Sequence, residues 1–350
     1  MNYRDSSQMS EQESRELDRA CQFFLYAAKS AVRDSEIDFG VHDKLRCCVL
    51  AGSTTATDKS NYHTEWDKKG YQAVTYEKVM RYRQENICNH VAFQYGLTGH
   101  SCLITNACAA GSYAIGQGYD LIRNGIADVV IAGGAESMSE SAVCGFSSTR
   151  SLALDCCRPF DKNRDGLLVA EGAASLLLES YENATSRKAR IYGEVIGYGL
   201  SCDGSHMTAP DVSGKSAAAA MQTAMDDAGI AAEDIDYVNA HGTGTPLNDK
   251  METNGVKKAF GKHAYVTPIS SIKSMIGHTF GASGAIEAVA CMLALNRNQI
   301  PPTINYQEQD PDCDLYYVPN LAVEKELFVI MSNSFAFGGN NASLLFRKFI

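Results

Sequence analysis

The sequence predicts an α/β protein made of one unit used twice, and three observations lead there. Short apolar, β-branched runs are separated by helical stretches, the alternation of a mostly parallel sheet. Two Gly/Ala-rich helices occupy equivalent places, one beginning near Cys108 and the other near Gly281. Each is followed by a hydrophobic strand that ends in a small-residue turn, Ile131-Ala-Gly-Gly-Ala-Glu and Ser332-Asn-Ser-Phe-Ala-Phe-Gly-Gly.

The elements follow in order. Residues 14–32 place apolar side chains at helical spacing, with Ser10 or Ser14 as the candidate cap. Strands are expected at residues 47–51, 101–105, 128–132 and 174–178. A polar stretch, residues 181–190, then separates two halves, 1–180 and 181–350. The second half carries strand candidates at 191–199, 236–239, 266–270, 327–331 and 342–346. The count is four strands against five. Small residues let a helix lie against sheets on both sides, so both Gly/Ala-rich helices are expected at the centre.

Composition narrows the function. A formal net charge of −10 disfavours non-specific nucleic-acid binding, which needs phosphate-neutralising Lys and Arg. No apolar run reaches the roughly 18–20 residues that span a bilayer. The first ten residues are polar and lack a signal peptide's apolar segment, so a cytoplasmic location is expected. The 12 cysteines include the adjacent pairs Cys47-Cys48 and Cys156-Cys157 but no Cys-x-x-Cys, so no metal site is expected. Most are read as small buried hydrophobes.

Four segments can carry chemistry. In Thr105-Asn-Ala-Cys108-Ala-Ala-Gly, a strand runs into a cysteine that opens a helix. The N–H groups and dipole there favour a thiolate, although a plain buried cysteine fits the same pattern. In Val238-Asn-Ala-His241-Gly-Thr-Gly-Thr-Pro, a histidine leaves a strand for a loop where α/β sheets hold ligands. Thr243 and Thr245 offer hydroxyls to a polar substrate arm, or are simple turn residues. In Ser270-Ser-Ile-Lys273-Ser-Met-Ile-Gly-His278, a lysine precedes a helix expected to be buried. It needs an anion there, and Glu287 is the candidate. In Asn333-Ser-Phe335-Ala-Phe337-Gly-Gly, aromatics interleaved with glycine can form a gate and a second oxyanion N–H.

Two patterns are decoys. Asp161-Lys-Asn163-Arg-Asp165-Gly166 starts like a calcium loop, but its twelfth position is Gly172 where a bidentate Glu is required. Asn183-Ala-Thr is a glycosylation sequon only in a secreted chain.

Cysteine, histidine, lysine and histidine, in that order and in those contexts, resemble the β-ketoacyl synthases of the thiolase superfamily. The nearest type is the elongating, carrier-protein-dependent synthase of fatty-acid or type II polyketide assembly. The likeness runs from about Leu17 to Ile350 and includes Arg158-Pro-Phe-Asp-Lys-Asn-Arg-Asp-Gly and Asp203-Gly-Ser-His206-Met-Thr208. It implies a thiolase-like fold of five layers, α-β-α-β-α. It also implies a ping-pong decarboxylative condensation. Cys108 would take an acyl group from the phosphopantetheine of an acyl carrier protein, and malonyl on a second carrier would decarboxylate and attack it. His241 and His278 would stabilise the enolate, while Lys273 with Glu287 would set their electrostatics. The N–H groups of Cys108 and Phe337 would form an oxyanion hole, with Phe337 and Phe335 as the gate. Thr243, Thr245, Thr208 and His206 would meet the substrate arm. No cofactor of the enzyme's own is implied. The partners implied are the carrier protein and either a second copy, paired across the strand before Cys108, or a related synthase subunit.

The match departs in places. The family's opening Val-Val-x-Thr-Gly-x-Gly strand has no counterpart upstream of residue 40, in line with the short strand count. Ala336 stands where the gate has glycine, a change expected to restrict it. Arg81 and Arg83 fall in the stretch that lines the family's acyl pocket, and either face it or point to solvent. Glu11, Glu13 and Glu16 stand where carrier docking would be basic, leaving Arg15, Arg19, Arg123 and Arg158 for that task. The alternative function is a non-autonomous ketosynthase-like subunit or scaffold. A coenzyme A thiolase fits less well, because Cys313 lies in an acidic loop.

Overall fold

The computed structural model describes Ser10, Glu13 and residues 17–55 and 66–350. The first helix, α1 (Arg19–Ser35), is capped by Asp18, whose carboxylate accepts from the N–H groups of Ala20 and Cys21 at 2.9 and 3.1 Å. It therefore begins after the serines expected to cap it, at the nearer acceptor. Ala20, Cys21, Phe24, Leu25 and Ala28 form its buried stripe. The helices that follow are α2 (Asn86–Tyr95), α3 (Ala110–Arg123), α4 (Lys215–Ala228), α5 (Pro246–Phe260) and α6 (Ser283–Arg297), with shorter ones between.

Strands β1 (Cys47–Gly52), β2 (Ser101–Ile104), β3 (Val129–Glu136) and β4 (Gly172–Glu179) form one sheet in the order β2-β1-β3-β4, with only β4 antiparallel. The second sheet uses β5 (Glu194–Cys202), β6 (Tyr237–Asn239) and β7 (Ile269–Ser270). After the small pair β8 (Gln299–Ile300) and β9 (Val323–Glu324), it is completed by β10 (Val329–Phe335) and β11 (Asn340–Arg347). Its order is β5-β11-β10-β6-β7, so β7-β6-β10-β11 repeats the first sheet and β5 is the extra strand. Several boundaries differ from expectation, among them those of β3, which runs on to Glu136, and β5, which is displaced to Glu194–Cys202. The turn Gly261–Tyr265 is a 3₁₀ helix, and Pro268 has no N–H to give a ladder, so β7 is only two residues long. β10 runs on to Phe335 because Asn333 and Phe335 pair with Ser343 and Asn341 of β11.

Alternation along the strands builds three cores between five layers. Cys47, Val49 and Ala51 of β1 face α1 and α2, whereas Cys48 and Leu50 face the centre. On β10, Ile330 faces the centre, whereas Val329, Met331 and Phe335 face α4 and α5. Each fully buried aliphatic side chain contributes about 1.5–3 kcal/mol. Helices α3 and α6 lie in the central layer and touch at Ser112 and Gly284. A Cβ on Gly284 would sit 2.2 Å from Ser112 Oγ, so only glycine permits that crossing. This contact brings the two helix starts, and the loops before them, to one place.

Candidate active site

β2 ends at Ile104, and the chain reverses through Ala107, a non-glycine residue at φ 46°. Cys108 is the centre of the 3₁₀ turn Ala107–Ala109, two residues before the central helix begins at Ala110. The second half repeats the device: Phe280, also at φ 46°, enters the 3₁₀ turn Phe280–Ala282 before α6. His241 follows β6, and Lys273 and His278 follow β7. All of them meet at one cavity or directly behind it.

The cavity measures about 220 Å³ and is lined by Cys108, His241, His278, Phe335, Phe337, Thr208, Thr243 and Thr245. The two imidazoles stand nearly perpendicular, with ring centroids 5.3 Å apart. Lys273 is 1 % exposed, ion-paired with the equally buried Glu287, and its Nζ donates to the His241 carbonyl at 2.7 Å. Nζ also lies 3.4 Å from His241 Nδ1. An ammonium has only donors, so this contact leaves Nδ1 as acceptor and the ring hydrogen on Nε2. The same logic applies to His278. Its Nδ1 accepts the Phe280 backbone N–H at 3.2 Å and lies 3.0 Å from Ser283 Oγ. Both neutral rings then carry their hydrogen on Nε2.

Electrostatics reverse one expectation. Burial pushes the Cys108 thiol up to about 12, outweighing the lowering effect of Lys273, while Glu136 and Glu287 raise it further. The backbone N–H at this turn does favour the thiolate, but desolvation of a residue only 5 % exposed outweighs it. Burial, with Lys273 next in size, holds both His241 and His278 well below the ordinary imidazole range, so both are neutral at pH 7. Burial raises the Glu287 carboxyl to about 7 against the pull of Lys273.

Other expected residues lie elsewhere. His206 is exposed, and its Nδ1 accepts from the N–H groups of Thr208 and Ala209 at 3.1 and 3.0 Å; it does not line the cavity. Arg81 donates to the Leu17 carbonyl at 3.0 Å and Arg83 pairs with Glu85, so neither lines the cavity. Arg19, Arg123 and Arg158 pair with Glu171, Asp227 and Asp155. Glu13 pairs with Lys29, and Glu11, Arg15 and Glu16 lie outside the described residues. Ala336 is extended at φ −128°, a conformation open to any residue, so its side chain imposes no strain on the gate.

Three contributors were not foreseen. Asp249 and Glu252, three residues apart on α5, take up the loop that carries His241. Glu252 accepts the N–H groups of His241 and Gly242 at 2.9 and 2.7 Å. Asp249 accepts those of Thr243 and Gly244 at 3.1 and 3.2 Å. The i, i+3 spacing of two carboxylates, which places both on one face of the helix, was the available signal. Phe146, on the short helix Glu140–Ser148, lines the cavity and stacks on both Phe280 and Phe337 at 5.1 and 5.2 Å.

A buried thiol, two neutral imidazoles and two phenylalanines lining one cavity are the parts an acyl-transferring condensing enzyme requires. Known proteins agree. The family model for the beta-ketoacyl synthase N-terminal domain matches residues 4–184, and that for its C-terminal domain matches residues 192–307. A 3-oxoacyl-[acyl-carrier-protein] synthase 2 of Staphylococcus aureus (strain COL) is 38% identical over 99% of this chain and 86% of its own. One from Synechocystis sp. is 40% identical over 96% of this chain and 83% of its own. Among solved structures, the ishigamide ketosynthase/chain length factor superposes with a TM-score of 0.90 at 38% identity, covering 96% of this chain and 83% of that one. A beta-ketoacyl synthase from Burkholderia phymatum STM815 gives 0.89 at 36% identity, over 97% and 85%. A type II PKS acyl-carrier protein in complex with its ketosynthase gives 0.91 at 33% identity, over 96% and 86%. The chain belongs to the β-ketoacyl synthase family. Its fold is the thiolase-like fold and its activity is that of a ketosynthase, an acyltransferase that condenses two acyl units. Among the described residues, no helix is long and apolar enough to cross a membrane.

Proposed function

We propose that the chain elongates acyl groups carried by an acyl carrier protein in the cytoplasm, with Cys108 as the acyl acceptor. The observation that supports this best is the single cavity shared by Cys108, His241 and His278. In the first half-reaction, the Cys108 sulfur attacks the carrier's thioester carbonyl. The carbonyl–sulfur bond to the phosphopantetheine breaks, and the Cys108 proton leaves with that thiol. The N–H groups of Cys108 and Phe337 receive the transient oxyanion, each donor being worth about 10²–10³ in rate.

In the second half-reaction, malonyl on another carrier occupies the cavity. The two Nε2–H groups donate to its thioester oxygen, the bond to the carboxylate breaks, and carbon dioxide leaves. The enolate's electron pair then attacks the acyl carbonyl on Cys108 and expels the thiolate, which regains a proton. Neutral histidines suit this role, since each must keep its hydrogen for donation. Lys273 with Glu287 places positive charge behind His241 without entering the reaction. Thr243 and Thr245, whose hydroxyls lie 2.9 Å apart, and Thr208 line the way in for the pantetheine arm, while Phe337 and Phe335 gate the acyl pocket.

In this reading residues 1–180 supply the nucleophile and residues 181–350 the two histidines and the lysine. A dimer would form by edge pairing at β2, which ends the first sheet. A second reading, a subunit that works only beside a related synthase, is favoured by β4, whose outer edge carries no strand among the described residues. Intact-mass measurement after incubation with acyl-carrier thioesters tests the first reading, with acylation at Cys108 expected. An unmodified Cys108, or a Cys108→Ala variant that still condenses, defeats it. A stable, active homodimer by light scattering defeats the second.

A further inference from the structure

Glu136, the last residue of β3, is 1 % exposed and takes no direct part in the chemistry above. Its carboxylate accepts from the backbone N–H groups of Thr54 at 2.6 Å, Thr55 at 3.0 Å and Gly281 at 3.1 Å. The hydroxyls of Thr55 and Ser53 add contacts at 2.6 and 3.3 Å. Among the described residues no lysine, arginine or histidine forms an ion pair with it. A buried carboxylate held by dipoles alone is costly unless every donor is aimed at it. These donors come from two segments far apart in sequence, the exit of β1 and the start of α6.

The Gly281 bond bears on the site. A Cβ at Gly281 would lie 2.4 Å from Ser53 Cα, so this turn rests directly on the β1 exit. One residue earlier stands Phe280, held in the left-handed region at φ 46°. Such a backbone persists only where its surroundings over-determine it. Phe280 also supplies the N–H that occupies His278 Nδ1.

Resting on the reading above, in which His278 donates from Nε2, we propose that Glu136 is a positioning residue for His278. By gripping the Gly281 N–H it holds the strained Phe280 turn, and the Phe280 N–H in turn keeps the hydrogen of His278 on Nε2. Decarboxylation depends on that hydrogen, whereas acyl transfer to Cys108 uses the oxyanion N–H groups instead. Glu136→Gln keeps the shape but leaves one acceptor oxygen in place of two, so the bonds to the N–H groups of Gly281 and Thr55 cannot both be kept and the grip on the turn loosens.

The test follows both half-reactions of the full chain. With malonyl-carrier thioester, Glu136→Gln is expected to release carbon dioxide about 10–100-fold more slowly, the loss of a weakened donor. Acylation of Cys108 by acyl-carrier thioester should change less than about threefold, on the same reasoning. Equal falls in both half-reactions, or no fall in either, overturn the proposal. Long-range ¹H–¹⁵N correlation of the wild-type chain checks it independently of whether the variant folds. His278 protonated on Nε2 supports it, and His278 protonated on Nδ1 overturns it. A wild-type chain that neither acylates Cys108 nor decarboxylates malonyl would instead sink the functional reading on which the proposal rests.

Discussion

The two halves present the same turn and use it for different ends. Ala107 and Phe280 both sit at φ 46°, and each leads through a 3₁₀ turn into a central helix. In the first half the next residue is Cys108, a side chain turned to the cavity. In the second it is Gly281, with no space for even a methyl group. The second half carries its imidazoles outside the turn, on His241 and His278, and the turn braces His278 through the Phe280 N–H. One geometry thus turns a buried sulfur to the cavity in one copy and locks a backbone in the other. The lesson is that a repeated scaffold lets acceptor and hydrogen donors be positioned independently, then brought together by one helix contact.

The sheets differ as well. β11 is covered by β5 along eight residue pairs, whereas β4 has no such neighbour among the described residues. A cavity of about 770 Å³ runs beside β4, touching Ser175, Leu177 and Glu179, and of the expected site and docking residues only Arg123 lines it. An open edge of this kind leaves N–H and C=O groups without ladder partners.

The comparison can be broken most forcefully at the turn itself. Cys108→Ala should lower condensation by about 10⁴-fold or more while leaving the melting temperature near that of the wild type, because only the acceptor is lost. Substantial residual turnover would contradict the division of labour.

Lys273→Ala should come next. It strips Glu287 of its partner, and breaking a buried pair costs about 3–5 kcal/mol, measurable by urea unfolding near pH 8. In that variant the Glu287 carboxyl stays protonated in the folded state well above its ordinary range. The unfolded state then binds fewer protons, so stability should fall as pH rises from about 4.5 through 7 and beyond. A loss independent of pH would mean that Glu287 is not the group left stranded.

Gly281→Ala should cost about 1–3 kcal/mol from overpacking against Ser53, in contrast with the tolerated alanine at Cys108. Equal tolerance at both positions would dissolve the distinction between the two turns. For the thiol, alkylation of Cys108 by iodoacetamide should rise about tenfold per pH unit up to pH 9, since its deprotonated fraction grows that way below a value of about 12. A plateau near neutrality would show a thiolate already formed. The smallest effect expected is in hydrogen exchange. Amides of β4 in this 350-residue chain should exchange faster than those of β11, and equal protection would mean that something covers the open edge.

Much of this was legible along the chain. The alternation that separates Val49 from Leu50 onto opposite faces of β1, and the small residues of both central helices, are local patterns that composition and spacing reveal. The motifs around Cys108, His241, Lys273 and His278 are contiguous, so the residues proposed to carry the chemistry could be named without coordinates. Strand ends were less legible, because β10 extends to Phe335 only through pairing with β11.

What tertiary structure alone decided is how those residues behave. Burial makes the Cys108 thiol weakly acidic where its place near a helix start pointed the other way, and both imidazoles neutral. Glu136 accepts the backbone N–H of Gly281, and no spacing rule reports a neighbour 145 residues away. Residue type and local order determined which groups are present. Desolvation and long-range contacts, which exist only once the layers close, set their protonation and their aim.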